Sequence, residues 1–274
     1  MPTSTSPAKH PARPTRGAPA ATTPEARAAL AWTHSARFLT TASQLNQLGA
    51  HEMPEIAFVG RSNAGKSTAI NTIAQQRQLA FASKTPGRTQ HINLFELGPR
   101  DAPDTLWADL PGYGYAAVAR SAKLRWQQVM ADYLAERRNL AGVVQMVDSR
   151  HGFTPLDRQL LGFIAPRVVN GEVKLLVLLT KADKLNRKDG AEALRKAQAV
   201  LAELATDEAD IGITLFSALS RIGIEDAAQT LLSWARPPRP VDDALAPAGE
   251  AETETEVDHA AAPASDRHPA PEAD

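Results

Sequence analysis

The chain has 274 residues, 30 Lys+Arg against 31 Asp+Glu, a formal net charge of −1 and no cysteine. A hydrophobic fraction of 43% excludes wholesale disorder, and the missing thiols exclude a disulfide framework, a thiolate zinc site and a cysteine nucleophile. The best apolar run, Leu175 to Leu179, falls far short of the roughly 18 residues of a membrane span, so no membrane insertion is expected.

The charges are segregated. From Val241 onward there are ten acids and one base, Arg267, while residues 1–24 hold Lys9, Arg13 and Arg16 and no acid, leaving 26 bases against 21 acids in between. Thirteen of the 20 prolines fall within residues 1–24 or from Pro237 onward, and neither segment contains an aromatic residue. Such sequence buries too little apolar surface to offset its ordering entropy. The expected organisation is a disordered basic tail over 1–26, one folded domain over 27–236 and a disordered acidic tail over 237–274. The first residues lack the apolar segment of a secretory signal, and a cytoplasmic monomer is expected. Their Arg/Ser/Thr-rich, acid-free composition is the one feature pointing instead to an organellar matrix, and six prolines argue against the amphipathic helix that such targeting needs.

Within the folded unit, apolar strands alternate with helices. Glu55–Val59 reads as a strand, followed by a helix over Ser67–Gln76. Ile92–Leu97 and Thr105–Leu110 read as an antiparallel hairpin. A helix follows from Ser121 to about Arg138, then a buried strand over Val143–Val147 and a helix over Pro155–Ile164. Lys174–Leu179 is the most apolar strand, Lys188–Leu204 a helix, Ile213–Phe216 a last strand and Ile224–Trp234 a last helix. This alternation predicts an α/β fold, a three-layer sandwich of a mostly parallel sheet with one antiparallel hairpin strand and helices on both faces. In such sheets ligands sit beyond the carboxyl ends of the strands.

The motifs fall there. Gly60-Arg61-Ser62-Asn63-Ala64-Gly65-Lys66-Ser67 fits the phosphate-loop pattern between a strand and a helix, identifying a P-loop NTPase. Its backbone N–H groups and helix N-terminus suit phosphate oxygens, Lys66 the β- and γ-phosphates, and the Ser67 hydroxyl Mg²⁺. Asp109-Leu110-Pro111-Gly112 ends the hairpin strand, where Asp109 is expected to hold Mg²⁺ through water and the Gly112 N–H to face the γ-phosphate. Alone, that short motif is equally a Pro-Gly turn. Thr180-Lys181-Ala182-Asp183 ends the most apolar strand. A carboxylate at Asp183 can accept from guanine N1–H and the 2-amino group, while Lys181 lays its stem on the ring. Adenine would leave that carboxylate unpaired, at a cost of about 1–3 kcal/mol. Phe216, Ser217 and Ala218 close the next strand, where the Ala218 N–H suits guanine O6.

In this order the motifs resemble the EngB family of GTP-binding proteins, within the TrmE–Era–EngA–EngB–Septin-like group. The resemblance covers residues 50–236 and rests on GRSNAGKS at 60–67, KTPGRTQ at 84–90, DLPGYGYA at 109–116, DSRHG at 148–152 and TKAD at 180–183. It implies that Gly87, Arg88, Thr89, Gln90 and His91 form the first switch, with Thr89 completing the magnesium shell in the GTP state. Tyr113 stands where Ras-like proteins place a water-orienting glutamine. Hydrolysis is therefore either slow and partner-dependent or assisted by another charge. The resemblance offers K⁺ bound through Asn63, which otherwise only stabilises the loop turn; His151 is a second candidate. A role in assembly of the large ribosomal subunit is implied, together with normal cell division and septum formation. Arg61, Lys84, Arg88, Arg120, Lys123 and Arg125, in or beside the switches, form a basic face suited to rRNA. The alternative is a GTP-binding scaffold with negligible turnover, acting through protein partners at the septum.

Overall fold

The computed structural model describes residues 22–49, 51–80, 91–114 and 120–236, with side chains described from residue 128 in the last stretch. Seven strands form one sheet: β1 (Arg37–Ala42), β2 (Glu55–Gly60), β3 (Ile92–Leu97), β4 (Thr105–Asp109), β5 (Leu140–Asp148), β6 (Lys174–Thr180) and β7 (Ile211–Leu215). Their spatial order is β1-β3-β4-β2-β5-β6-β7. Strand β3 pairs antiparallel with both β1 and β4. The other pairings, β2–β4, β2–β5, β5–β6 and β6–β7, are parallel. Hence β3 alone runs against the rest, as the hairpin reading expects. Among the described residues six helices flank the sheet: α1 (Pro24–His34), α2 (Lys66–Ile73), α3 (Arg120–Glu136), α4 (Pro155–Val169), α5 (Arg187–Leu201) and α6 (Ile224–Ala235).

Each face of the sheet has its own core. On one, Ile56, Phe58, Trp107, Val144, Met146 and Leu178 meet Trp32 of α1, Ile70 and Ile73 of α2, and Leu231 and Trp234 of α6. On the other, Val59, Leu106, Val143, Val177 and Leu179 meet Tyr133 of α3, Ile164 of α4 and Leu201 of α5. The central strands are apolar on both sides, the pattern of a sheet covered twice. At the amino ends of the strands, the fully buried Glu55 accepts from the Tyr133 hydroxyl at 2.5 Å and from Arg137. That neutralised carboxylate ties the end of α3 to the sheet.

Helix α1 and strand β1 are additions to the sequence reading. The expected domain boundary at residue 26 falls inside α1, because Thr23 caps it by accepting from the Ala26 N–H at 3.2 Å and Pro24 occupies its first turn. Trp32 packs edge-on against Trp107, with centroids 6.1 Å apart, and donates from Nε1 to Asp104 at 3.0 Å. Other differences are at element ends. Helix α2 stops at Ile73 rather than Gln76, because Gln75 adopts a left-handed φ of 55°. Helix α4 continues through Pro166 to Val169, anchored by the buried Val168. Helix α5 ends at Leu201 and only a single tight turn, Ala202–Leu204, follows.

Gly142 lies under α6, where a Cβ would stand 2.3 Å from Trp234 Cε3. Gly142→Ala is expected to destabilise the domain by at least about 2 kcal/mol through overpacking. A urea unfolding curve checks this: the midpoint falls with the slope unchanged, whereas an unmoved midpoint contradicts the close packing.

Candidate functional site

Because β4, β2, β5, β6 and β7 are parallel neighbours, their carboxyl ends share one edge of the sheet. The segments that leave them there are 110–114, 61–65, 149–154, 181–186 and 216–223. Sequence positions scattered over more than 150 residues thereby converge.

The loop after β2 folds back across the end of β4. The Ser62 N–H donates to the Tyr113 carbonyl at 2.8 Å, and the Tyr113 N–H to the Gly60 carbonyl at 3.2 Å. Gly65, at φ 94°, caps α2 in the left-handed region that only glycine enters without strain. Asn63 is also left-handed, at φ 65°. Among the described residues, no hydrogen bond uses the N–H groups of Asn63, Gly65, Lys66 or Ser67. These are the orphan donors of a helix start, with the positive end of its dipole behind them, an arrangement suited to phosphate oxygens.

Lys66 and Asp109 form an ion pair with side chains 8% and 1% exposed. They meet because β2 and β4 are adjacent, with Phe58 in register with Asp109. The second carboxylate oxygen of Asp109 is buried without a partner, and the chain continues to Gly112, whose N–H is also unused by any described hydrogen bond. Among the described residues no three His, Cys, Asp or Glu side chains gather as a metal cage. A cation here would therefore depend on phosphate oxygens together with Ser67 and Asp109. The orphaned Asp109 oxygen and the hard oxygen donors fit Mg²⁺ in that role.

At the other end of the site, Lys181 is left-handed at φ 59°. Its ammonium donates to the Asn63 carbonyl at 2.6 Å and to Asp148 at 2.9 Å. The buried Thr180 hydroxyl lies 2.6 Å from the Ala64 carbonyl. Both contacts tie the loop after β6 to the phosphate loop. The Ala182 N–H donates to the Phe216 carbonyl at 3.1 Å. The Ser217 hydroxyl donates to Asp183 at 2.7 Å, and Lys184 lies 3.4 Å from its other oxygen. The Ser217 bond, aided by Lys184, holds the Asp183 carboxyl below the ordinary value, so it is ionised at neutral pH. No described hydrogen bond uses the Ala218 N–H beside it. Thr180, Lys181, Ala182, Asp183, Phe216, Ser217 and Ala218 are thus brought together, and Ser217 orients Asp183, a role the sequence did not reveal.

Tyr113 is only 7% exposed, and its hydroxyl donates to Asp157 at 2.7 Å and accepts from Gln145 at 3.2 Å. Burial and the neighbouring Asp157 push its phenol far above its ordinary pKa, so it stays protonated. Asp157 in turn closes the capping box of α4 with Thr154. The side chain after Gly112 is therefore part of the core.

His91 is described, and its ring pairs with the Ser43 hydroxyl at 2.8 Å. Exposed His151 lines a cleft of about 180 Å³ with Arg61, Asn63, Asp148, Arg150 and Lys181. Gly87, Arg88, Thr89 and Gln90, together with Lys84, lie outside the described residues, as do the side chains of Arg120, Lys123 and Arg125.

Fold and site together define a P-loop domain of the GTP-binding class. A family model described as "50S ribosome-binding GTPase" matches residues 55–181. The chain is 57% identical to the probable GTP-binding protein EngB of Acidovorax ebreus, over 79% of this chain and 95% of that protein. Against the protein of the same name from Albidiferax ferrireducens it is 58% identical, over 76% and 97%. The fold matches Era in complex with MgGDPNP and a 16S ribosomal RNA segment, at a TM-score of 0.51 and 20% identity, over 68% of this chain and 57% of that one. The chain belongs to the EngB family of GTP-binding proteins.

Proposed function

We propose that the protein is a slow, Mg²⁺-dependent GTPase switch that acts on ribosome assembly at the large subunit. The observation that supports this most is a loop with unused N–H groups at the start of α2 beside a Tyr113 side chain buried in the core. Lys66 and the orphan N–H groups of the loop bind the β- and γ-phosphates, and Gly112 senses the γ-phosphate. Asp183 reads the Watson–Crick edge of guanine, Lys181 covers its face, and the Ala218 N–H donates to O6. Ser67 and Asp109 hold the magnesium ion, with Thr89 from the first switch. The ion, when bound, neutralises charge developing on the phosphate oxygens.

With no side chain at 113 to orient water, turnover is slow unless a partner or a cation supplies the missing charge. Asn63, strained into the left-handed region beside the phosphates, is the K⁺ candidate. The partner reading is supported by the matching family model, that of a 50S ribosome-binding GTPase. It rests also on Arg61, Lys84, Arg88, Arg120, Lys123 and Arg125 near the switches, where nucleotide state could govern contact with an RNA backbone. A cytoplasmic monomer suits that role, and among the described residues no helix is long and apolar enough to cross a membrane. An effect on cell division and septum formation follows indirectly. The same Tyr113 geometry favours one other reading, a GTP-binding scaffold of negligible turnover working through protein partners at the septum.

Three outcomes check these readings. Asp183→Asn replaces an acceptor by a donor amide, so GDP affinity is expected to fall by at least about a hundredfold while xanthine nucleotides, with a 2-oxo group, gain. Equal preference for guanine after substitution contradicts the base assignment. GTP turnover is expected to be faster in K⁺ than in Na⁺ at equal ionic strength, and identical rates remove Asn63 as a cation ligand. Co-sedimentation with 50S precursors is expected in the GTP state, lost in GDP and weakened by salt. Sedimentation in neither state overturns the ribosomal reading.

A further inference from the structure

The DSRHG segment at 148–152 has no part in the phosphate, magnesium or base assignments, yet it forms one wall of the cleft beside Asn63 and Lys181. Asp148 ends β5 in register with Thr180 at the end of β6. Its side chain is 11% exposed and meets two cations. Arg150 binds it in a two-pronged contact, Nε to Oδ1 at 2.9 Å and Nη2 to Oδ2 at 2.7 Å, and the Arg150 N–H adds 3.1 Å to Oδ1. On its remaining side Oδ2 accepts from the Lys181 ammonium at 2.9 Å. Burial alone would raise its pKa; the Arg150 and Lys181 hydrogen bonds outweigh that and hold it well below the carboxylate range.

Lys181 and Asn63 are two of the four non-glycine residues described with a positive φ, and a single hydrogen bond joins them. Strained backbone of this kind persists only where its surroundings over-determine it. Arg61, Arg150 and Lys181 all line the same cleft with two acids, Asp148 and Asp157, and Asp157 is taken up by Tyr113 and Thr154, so the Lys181 ammonium needs a counter-ion of its own. Asp148 is that counter-ion, and the two-pronged Arg150 contact fixes the direction of its oxygens.

We propose that Asp148 is a positioning residue for nucleotide binding: as the oriented counter-ion of Lys181, it holds that side chain across the phosphate loop and the base-binding loop. This rests on the guanine-site reading above. It assigns Asp148 no contact with nucleotide. Arg150 acts one step further back, by orienting Asp148.

The test is a double-substitution cycle on the full-length chain with a fluorescent GDP analogue. Asp148→Ala is expected to weaken GDP binding about tenfold or more, through faster dissociation. GTPase KM should rise in parallel while kcat stays within about twofold, since Lys66, Asp109 and Gly112 are untouched. Arg150→Ala should show the smaller effect of the two. In a Lys181→Ala background, Asp148→Ala should add nothing further, because its effect passes through that ammonium. A purely structural role would instead leave the two losses additive and lower the melting temperature of the nucleotide-free protein. Additivity, or an unchanged GDP affinity in Asp148→Ala, overturns the proposal. Should Asp148→Ala not fold, the isosteric Asp148→Asn carries the same comparison. Failure of the unsubstituted chain to bind GDP would remove the guanine-site reading first, and the proposal with it.

Discussion

The buried ion pair between Lys66 and Asp109 constrains most of the architecture around it. Two charges this far from water are costly, and removing either one leaves the other uncompensated, a penalty of about 3–5 kcal/mol. They meet because β2 and β4 are parallel neighbours, which brings Asp109 at the end of β4 beside Lys66 at the start of the helix that follows β2. A parallel neighbour requires a crossover. The chain makes it through α2 and the reversed strand β3, which delivers β4 beside β2 from the correct end. The layered form of the domain follows, because helices crossing a parallel sheet cover both of its faces.

A second set of contacts joins the phosphate end of the site to the base end. Thr180 and Lys181 both bond to carbonyls of the phosphate loop, and Ser217 orients Asp183 from the neighbouring strand. The site is thus a row of loops cross-linked by side chains. The strained Asn63 and Lys181, in two different loops, are joined by one hydrogen bond. Such mutual support keeps binding groups in place before a ligand arrives, which lowers the ordering cost of binding.

Much of this was legible in the sequence, for a physical reason. The strands β2 and β4 to β6 are apolar runs that end at Gly, Asp or Thr next to motifs whose spacing is fixed by phosphate and purine chemistry. Helices α4 and α5 carry Thr154 and Asn186 as caps. By contrast, β1 has five of its six residues partly or fully exposed, and its place is set by pairing with β3 rather than by its own pattern. Helix α1 is short, and its buried residues are two alanines, one tryptophan and one threonine. The orientation of Tyr113 was illegible too, because its partner Asp157 is 44 residues away and reads locally as a helix cap. Nor did the spacing of DSRHG reveal that Asp148 faces Lys181, since that contact exists only through the β5–β6 register.

The packing of α1 against α6 on one face of the sheet has a consequence for how the molecule is made. The first helix described in the chain completes its burial only against the last, with Ala29 and Trp32 sharing a core with Leu231 and Trp234. During synthesis, that face of the sheet stays open until residue 235 has left the ribosome. The nucleotide-binding loops, by contrast, have all been translated by Ala218. A nascent chain therefore possesses every residue of its site some seventeen positions before its hydrophobic surface can close. In that interval, guanine nucleotide in the surrounding solution could stabilise a sheet that its own helices do not yet protect.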